Sequence, residues 1–243
     1  MLSIAHHPIY QLPLPAGHRF PMEKYDLLPR QLLHEGTCTA EDFFVPTKID
    51  SSVIERVHTP AYVKRLLDFA LDRKEIRKIG FPLSEQLIER EIIIAAGTLE
   101  GSIKALDTGI AMNIAGGTHH AFSGQGEAFC LLNDQAIAAQ YLLDHQKAKK
   151  ILIVDLDVHQ GNGTAEIFNK NSGVFTFSMH GAKNYPFRKE MSDLDIGLED
   201  GTTDEEYLTV LHQTLPRLID EQQPDFIFYL CGVDVVATDK LGR

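Results

Sequence analysis

Basic residues are in short supply: 23 Lys and Arg stand against 34 Asp and Glu, a formal net charge of −11. That deficit excludes a general nucleic-acid binder and a protein held on an anionic membrane surface, and no cluster of Lys and Arg restores either. Cysteine is also sparse. Cys38, Cys130 and Cys231 are odd in number and widely spaced, so neither a disulfide framework nor a zinc-ribbon spacing is present. No uninterrupted apolar run is long enough to cross a bilayer. The opening Met1–Pro8 lacks the basic-then-apolar order of a secretory signal. The expected setting is therefore a reducing cytoplasm. Repeats, low-complexity tracts and linker-like stretches are missing too, so residues 1–243 are expected to form a single α/β domain.

Short apolar runs alternate with amphipathic stretches. Strands are expected at residues 2–5, 43–45, 110–114, 151–157, 174–179 and 225–230, the last as a buried strand. Helices are expected at 22–33, with Leu27, Leu28, Leu32 and Leu33 on its buried face, and from Thr59-Pro60 onward, with Tyr62, Val63, Leu66 and Leu67 spaced at 3.6 residues. Further helices are expected at 85–107, where Gly97 and Gly101 suggest close packing against a neighbour, and at 133–145, 164–169 and 207–221. This alternation predicts a parallel sheet with helices on both faces. Sites in such sheets form at the carboxyl ends of strands. Four strand ends carry polar groups here: His119-His120, Asp157 with His159, His180, and Asp234.

The most informative stretch is Ile151–Gly163, where a β-branched run passes abruptly into Asp155-Leu156-Asp157-Val158-His159-Gln160-Gly161-Asn162-Gly163. In an extended chain Asp155, Asp157 and His159 would share one face. Unpaired polar groups at the end of a buried strand cost roughly 2–7 kcal/mol each, more when charged, and a divalent cation on Asp157 and His159 would offset that cost. A catalytic zinc takes three protein ligands and keeps an open position, and Asp157, His159 and Asp234 supply that count. His119 and His120 are suited to acid and base work because imidazole titrates near the operating pH.

Gly116-Gly117-Thr118-His119-His120, Phe129-Cys130, Asn133-Asp134, Asp155 to Gly163 and Gly232-Val233-Asp234 together resemble the histone deacetylase superfamily. The Asp-x-His-Gln-Gly-Asn-Gly form is most similar to the class IV and related bacterial, acetoin-utilisation-type branch. The resemblance runs in order from about His18 to the last residue. It implies an arginase-like fold and zinc-dependent hydrolysis of an acyl amide, carried by an acyl-lysine protein or a small acylated amine. By position it makes Asp157, His159 and Asp234 the zinc ligands, pairs His119 with Asp155 and His120 with Asn162, and makes Phe129 and Tyr185 the aromatic walls of the acyl-lysine tunnel. A carboxylate partner raises the basicity of His119, which leaves His120 as the general base. A structural potassium would use oxygens of Asp155, Asp157, His159, Ser178 and Met179. Arg19 would line an internal cavity, and His58–Tyr62 matches a recurring segment assigned to packing.

Two departures from the family pattern stand out. Ala128 replaces the glycine frequent before the tunnel phenylalanine, which is expected to narrow that wall. No Gly-Gly-Gly-Tyr occurs, and the chain stops at Arg243, nine residues after Asp234, so the carbonyl-polarising tyrosine and the fold's last strands and helices are expected to be missing. An unpaired edge there would favour self-association. Three other readings stay open. One is an inactive, metal-retaining binder of acylated ligands. Another is a haloacid-dehalogenase-type phosphatase using magnesium, with Asp155 as nucleophile and Asp157 as acid/base. The third is a two-manganese ureohydrolase, for which Asn162 is a poor ligand.

Overall fold

The computed structural model describes residues 2–242. The chain divides into two compact units, Met1–Tyr141 and Leu142–Arg243. In the first, β1 (Ser3–Ala5) lies between β2 (Phe43–Phe44) and β3 (Ala111–Asn113), all parallel. The helices of this unit are α1 (Lys24–His34), α2 (Ser51–Ile54), α3 (Pro60–Leu67), α4 (Arg73–Ile79) and the long α5 (Glu85–Thr108). Local chemistry sets the limits of α5. The Ser84 hydroxyl accepts from the Leu87 N–H at 3.1 Å at its start, and Gly109 closes it with a φ of +84°. The expected close packing is found at Gly97, where a Cβ would stand 2.4 Å from the Tyr10 hydroxyl and 3.1 Å from the Ala5 methyl. At Gly101 a Cβ would meet only ordinary contacts.

Helix α6 (Asp134–Asp144) carries the chain into the second unit. There β4 (Ile151–Asp155), β5 (Val174–Gly181), β6 (Leu194–Leu198) and β7 (Phe226–Leu230) form a parallel ladder in the order β6-β5-β4-β7. Every residue of β4 is buried, which is why it reads as a continuous apolar run. Helix α7 (Asn162–Phe168) lies against β5. Helix α8 (Asp204–Gln222) seats Leu211, Leu215 and Leu218 on Leu152, Val154, Phe177 and Met179. Among the described residues no helix is long and apolar enough to cross a membrane.

Five expectations are corrected. Helix α1 buries Tyr25 and Pro29, one turn apart, and leaves Leu27, Leu28 and Leu33 exposed. The aromatic ring wins that face because Tyr25 packs on Phe20 and beneath the Arg90 guanidinium. Strand β7 is buried on one face only: Phe228 and Leu230 are covered, whereas Ile227 and Tyr229 are exposed, as suits the end of a ladder. Helices α2 and α4 and strand β6 are additional to the expected elements, and all three are short. Arg19 is exposed with its guanidinium 4.9 Å from the Phe129 ring centre, rather than lining a cavity.

The fifth correction concerns the acidic stretch. Strand β4 stops at Asp155, so Asp157 and His159 are not brought to one face by strand alternation. Instead the Asp157 N–H donates to Asp155 Oδ1 at 3.1 Å, and the His159 N–H donates to Asp157 Oδ1 at 2.8 Å. Each carboxylate turns the backbone two residues ahead of it, as Asp does in Asx turns.

Candidate metal centre and histidine pair

The turn beyond β4 and the segment beyond β7 bring Asp157, His159 and Asp234 together, with one ligand atom from each within 4.8 Å of the others. His159 Nδ1 lies 3.0 Å from Asp157 Oδ1 and 3.0 Å from Asp234 Oδ2. Asp234 is fixed through its other oxygen, which accepts from the Val158 N–H at 3.1 Å. Gly232 makes the approach possible: a Cβ there would stand 2.5 Å from Asp157 Oδ2 and 2.8 Å from Asp157 Cα. Burial by itself would depress the His159 imidazole, but hydrogen bonds and charge attraction from Asp157 and Asp234 reverse this and hold it up at about 10. Two carboxylates converging on one ring nitrogen form a donor set that fits a divalent first-row cation.

Asp155, the last residue of β4, is buried and stands in register with Ser178 of β5 and Leu230 of β7. Ser178 Oγ lies 2.9 Å from His180 Nδ1, and Met179 beside it is buried. Asn162 opens α7 and is buried. Tyr185 sets its ring edge-on to His159, with centroids 6.5 Å apart.

In the first unit His119 and His120 are 4% and 5% exposed, with ring centroids 4.1 Å apart. The glycines before them are required by geometry. Gly117 has a φ of +72°, and a Cβ on Gly116 would lie 2.7 Å from Asp134 Oδ2. Phe129 joins an aromatic cluster with Phe20 and Phe81, each at 5.1 Å, and with His18 at 6.0 Å. Ala128 and Phe129 both adopt positive φ, +44° and +68°. This explains why a glycine suits position 128: the constraint there is on the backbone.

Sequence reasoning passed over two buried residues near the histidines. His58 was assigned to packing alone. Its Nε2 accepts from the Asn133 N–H at 2.9 Å, which leaves Nδ1 to donate to the Phe122 carbonyl at 2.9 Å. Burial pulls its pKa down to about 4. Asp134 reads in sequence as a helix-start residue, yet its carboxylate grips the turn that carries His119. The only signal for either was its membership of a motif.

A model of the histone deacetylase domain matches residues 18–243. The chain belongs to the histone deacetylase family. An uncharacterized protein of Picosynechococcus sp. is 45% identical over 240 residues, covering 99% of this chain and 80% of that one. Human histone deacetylase 1 is 26% identical over 248 residues, covering 93% of this chain and 51% of that one. The chain thus spans about half the length of that human relative. Among solved structures, an HDAC homolog from Aquifex aeolicus superposes with a TM-score of 0.83 at 22% identity, covering 99% of this chain and 71% of that one. An HDAC homolog in complex with SAHA gives a TM-score of 0.85 at 22% identity, with the same coverage. At that identity the likeness establishes the arginase/deacetylase-like α/β fold, in which the expected parallel strands and surrounding helices are present.

Proposed function

We propose that this family member is a zinc-dependent amidohydrolase that removes acetyl or other acyl groups from lysine-like amines. The observation that carries the reading is the convergence of Asp157, His159 and Asp234 within 4.8 Å in a chain of this family. These three residues would hold the ion. When bound, zinc polarises a carbonyl and lowers the pKa of its water.

His120 takes a proton from the attacking water, and His119 delivers one to the departing amine nitrogen, so the amide C–N bond breaks to a carboxylate and a free amine. Asp155 and Asn162 carry the orienting roles of the family pattern. Phe129 and Tyr185 supply the apolar walls that select a thin acyl-lysine chain over bulkier ones. A potassium ion on oxygens of Asp155, Asp157, His159, Ser178 and Met179 belongs to the same reading, as what the family resemblance implies.

The test combines metal analysis after mild dialysis with hydrolysis of a fluorogenic acetyl-lysine peptide and binding of SAHA. Absence of metal, with no response to added zinc, overturns the hydrolase reading. One zinc per chain with SAHA bound but no turnover favours the binder of acylated ligands instead.

A further inference from the structure

We infer that Asp134 is the positioning residue of the histidine pair, acting through a buried hydrogen-bond relay that reaches back to β3 and α5. The inference rests on the proposed roles of His119 and His120, and it adds a residue to which no role in the reaction has been given. Asp134 is 1% exposed. Its Oδ1 accepts from the Thr118 N–H at 2.8 Å, and the Thr118 hydroxyl lies 2.6 Å from the same oxygen. That hydroxyl also stands 2.5 Å from the Leu132 carbonyl and accepts from the Asp134 N–H at 3.1 Å. The other carboxylate oxygen, Oδ2, accepts from the Thr98 hydroxyl at 2.6 Å. Thr98 accepts in turn from Asn113 Nδ2 at 2.8 Å, and Asn113 also donates to the Ile94 carbonyl at 2.9 Å.

The relay therefore joins the inner face of α5, the end of β3 and the start of α6 to the residue immediately before His119. A carboxylate suits the junction because it is acceptor-only, and each donor that converges on it has few other outlets. Both oxygens are used, so the group cannot rotate without losing two bonds at once. Gly116 completes the fit, since any side chain there would collide with Oδ2. The backbone at Thr118 is thereby pinned, and the imidazoles that follow inherit its position. Misplacement of a reacting group by about 1 Å can cost on the order of 10²-fold, so a group that fixes the turn should act on turnover before it acts on binding.

The experiment compares the full chain with Asp134→Asn, Thr98→Val and Thr118→Ser. The first readout is the ¹⁵N spectrum of the histidine rings, with His119 and His120 assigned by His119→Gln and His120→Gln. It requires no activity. Asp134→Asn and Thr98→Val should shift or broaden both sets of ring signals, while Thr118→Ser, which keeps hydroxyl and N–H, should leave them in place. The second readout is kinetic. Asp134→Asn should lower kcat by about 10–10²-fold, with KM within about twofold and zinc content unchanged, and Thr98→Val should fall between it and the parent. If Asp134→Asn does not fold, Thr98→Val decides alone. Unchanged ring signals in every folded variant that loses a relay bond would overturn the inference. A parent chain with no turnover but with the expected ring shifts would instead leave the positioning intact and remove the hydrolase reading.

Discussion

His119 and His120 are almost fully buried on a turn tied down by donors and acceptors of the chain itself, whereas Asp157, His159 and Asp234 are each only half-buried and crowd two carboxylates around one imidazole. In the first region polarity is matched within the protein: Thr118, Asp134 and Thr98 use their polar atoms on one another, and His58 closes the loop behind. In the second, Val158 N–H and the Asx turns satisfy part of each carboxylate, and His159 stands between the two, where a cation would add balancing charge. A set of polar groups satisfied within the protein holds its side chains in place, while a cluster of like charges is one that a bound cation would hold together. The two regions should therefore respond to different perturbations.

The sharpest break in that comparison is removal of a ligand. Asp157→Ala or Asp234→Ala should abolish stoichiometric zinc and, with it, hydrolysis. Zinc at a hundredfold excess over its Kd should stabilise the parent by about 2.7 kcal/mol and leave the variants unmoved. Metal analysis and thermal melts with and without zinc check both statements. A variant that still binds one zinc would place the centre elsewhere. The next largest effect belongs to the first region. His120→Ala should retain zinc and KM yet lose on the order of 10²–10⁴-fold in kcat. An unimpaired variant would show that the base has been assigned to the wrong imidazole.

A third effect separates the regions by pH. Burial lowers His58 from its ordinary 6.5 to about 4, so the folded chain holds fewer protons than the unfolded one between those values. Stability is then fully present above pH 6.5 and is lost as the pH falls towards 4, by about 3 kcal/mol in all. Burial is the cause, and a protonated His58 would also lose the bond it accepts from the Asn133 N–H. Denaturant midpoints for the parent and His58→Gln across that range measure it. Equal slopes in the two proteins would remove His58 as the source.

The sequence-level reading worked where one interaction dominates locally. The helical periodicity of its apolar residues located α5 within one or two residues, and the unbroken apolar run of β4 announced a strand buried on both faces. It went astray where tertiary partners chose among local options. Leu27 and Leu28 are as apolar as Tyr25, and only the placement of Arg90 and Phe20 decides which of them turns inward. Ile227 and Tyr229 look as buried as Phe228 until the strand order puts β7 at an end of the ladder. The cluster of Asp157, His159 and Asp234 was legible as a candidate because Asp, His and Gly at that spacing have little other use. Asp134 was not, because an Asp at a helix start already has an ordinary explanation.

The smallest expected effect tests whether the constraint beside the histidines lies in the backbone. Ala128 holds a φ of +44° between two fixed points: its own N–H donates to the Lys78 carbonyl at 3.0 Å, and the Phe129 N–H donates to the Ile79 carbonyl at 2.6 Å. A left-handed conformation costs an L-residue roughly 1–2 kcal/mol, and glycine avoids it. Glycine also gains freedom in the unfolded chain, which returns roughly 0.5–1 kcal/mol of the difference. Ala128→Gly should therefore stabilise the protein by about 0.5–1 kcal/mol, with the same gain whether or not zinc is added, since the strain it relieves is independent of the metal ligands. Denaturant titrations with and without zinc measure this directly. A loss of stability would mean that Ala128 reaches its backbone angle without strain in solution, and a gain seen only with zinc would show that the two regions are energetically coupled.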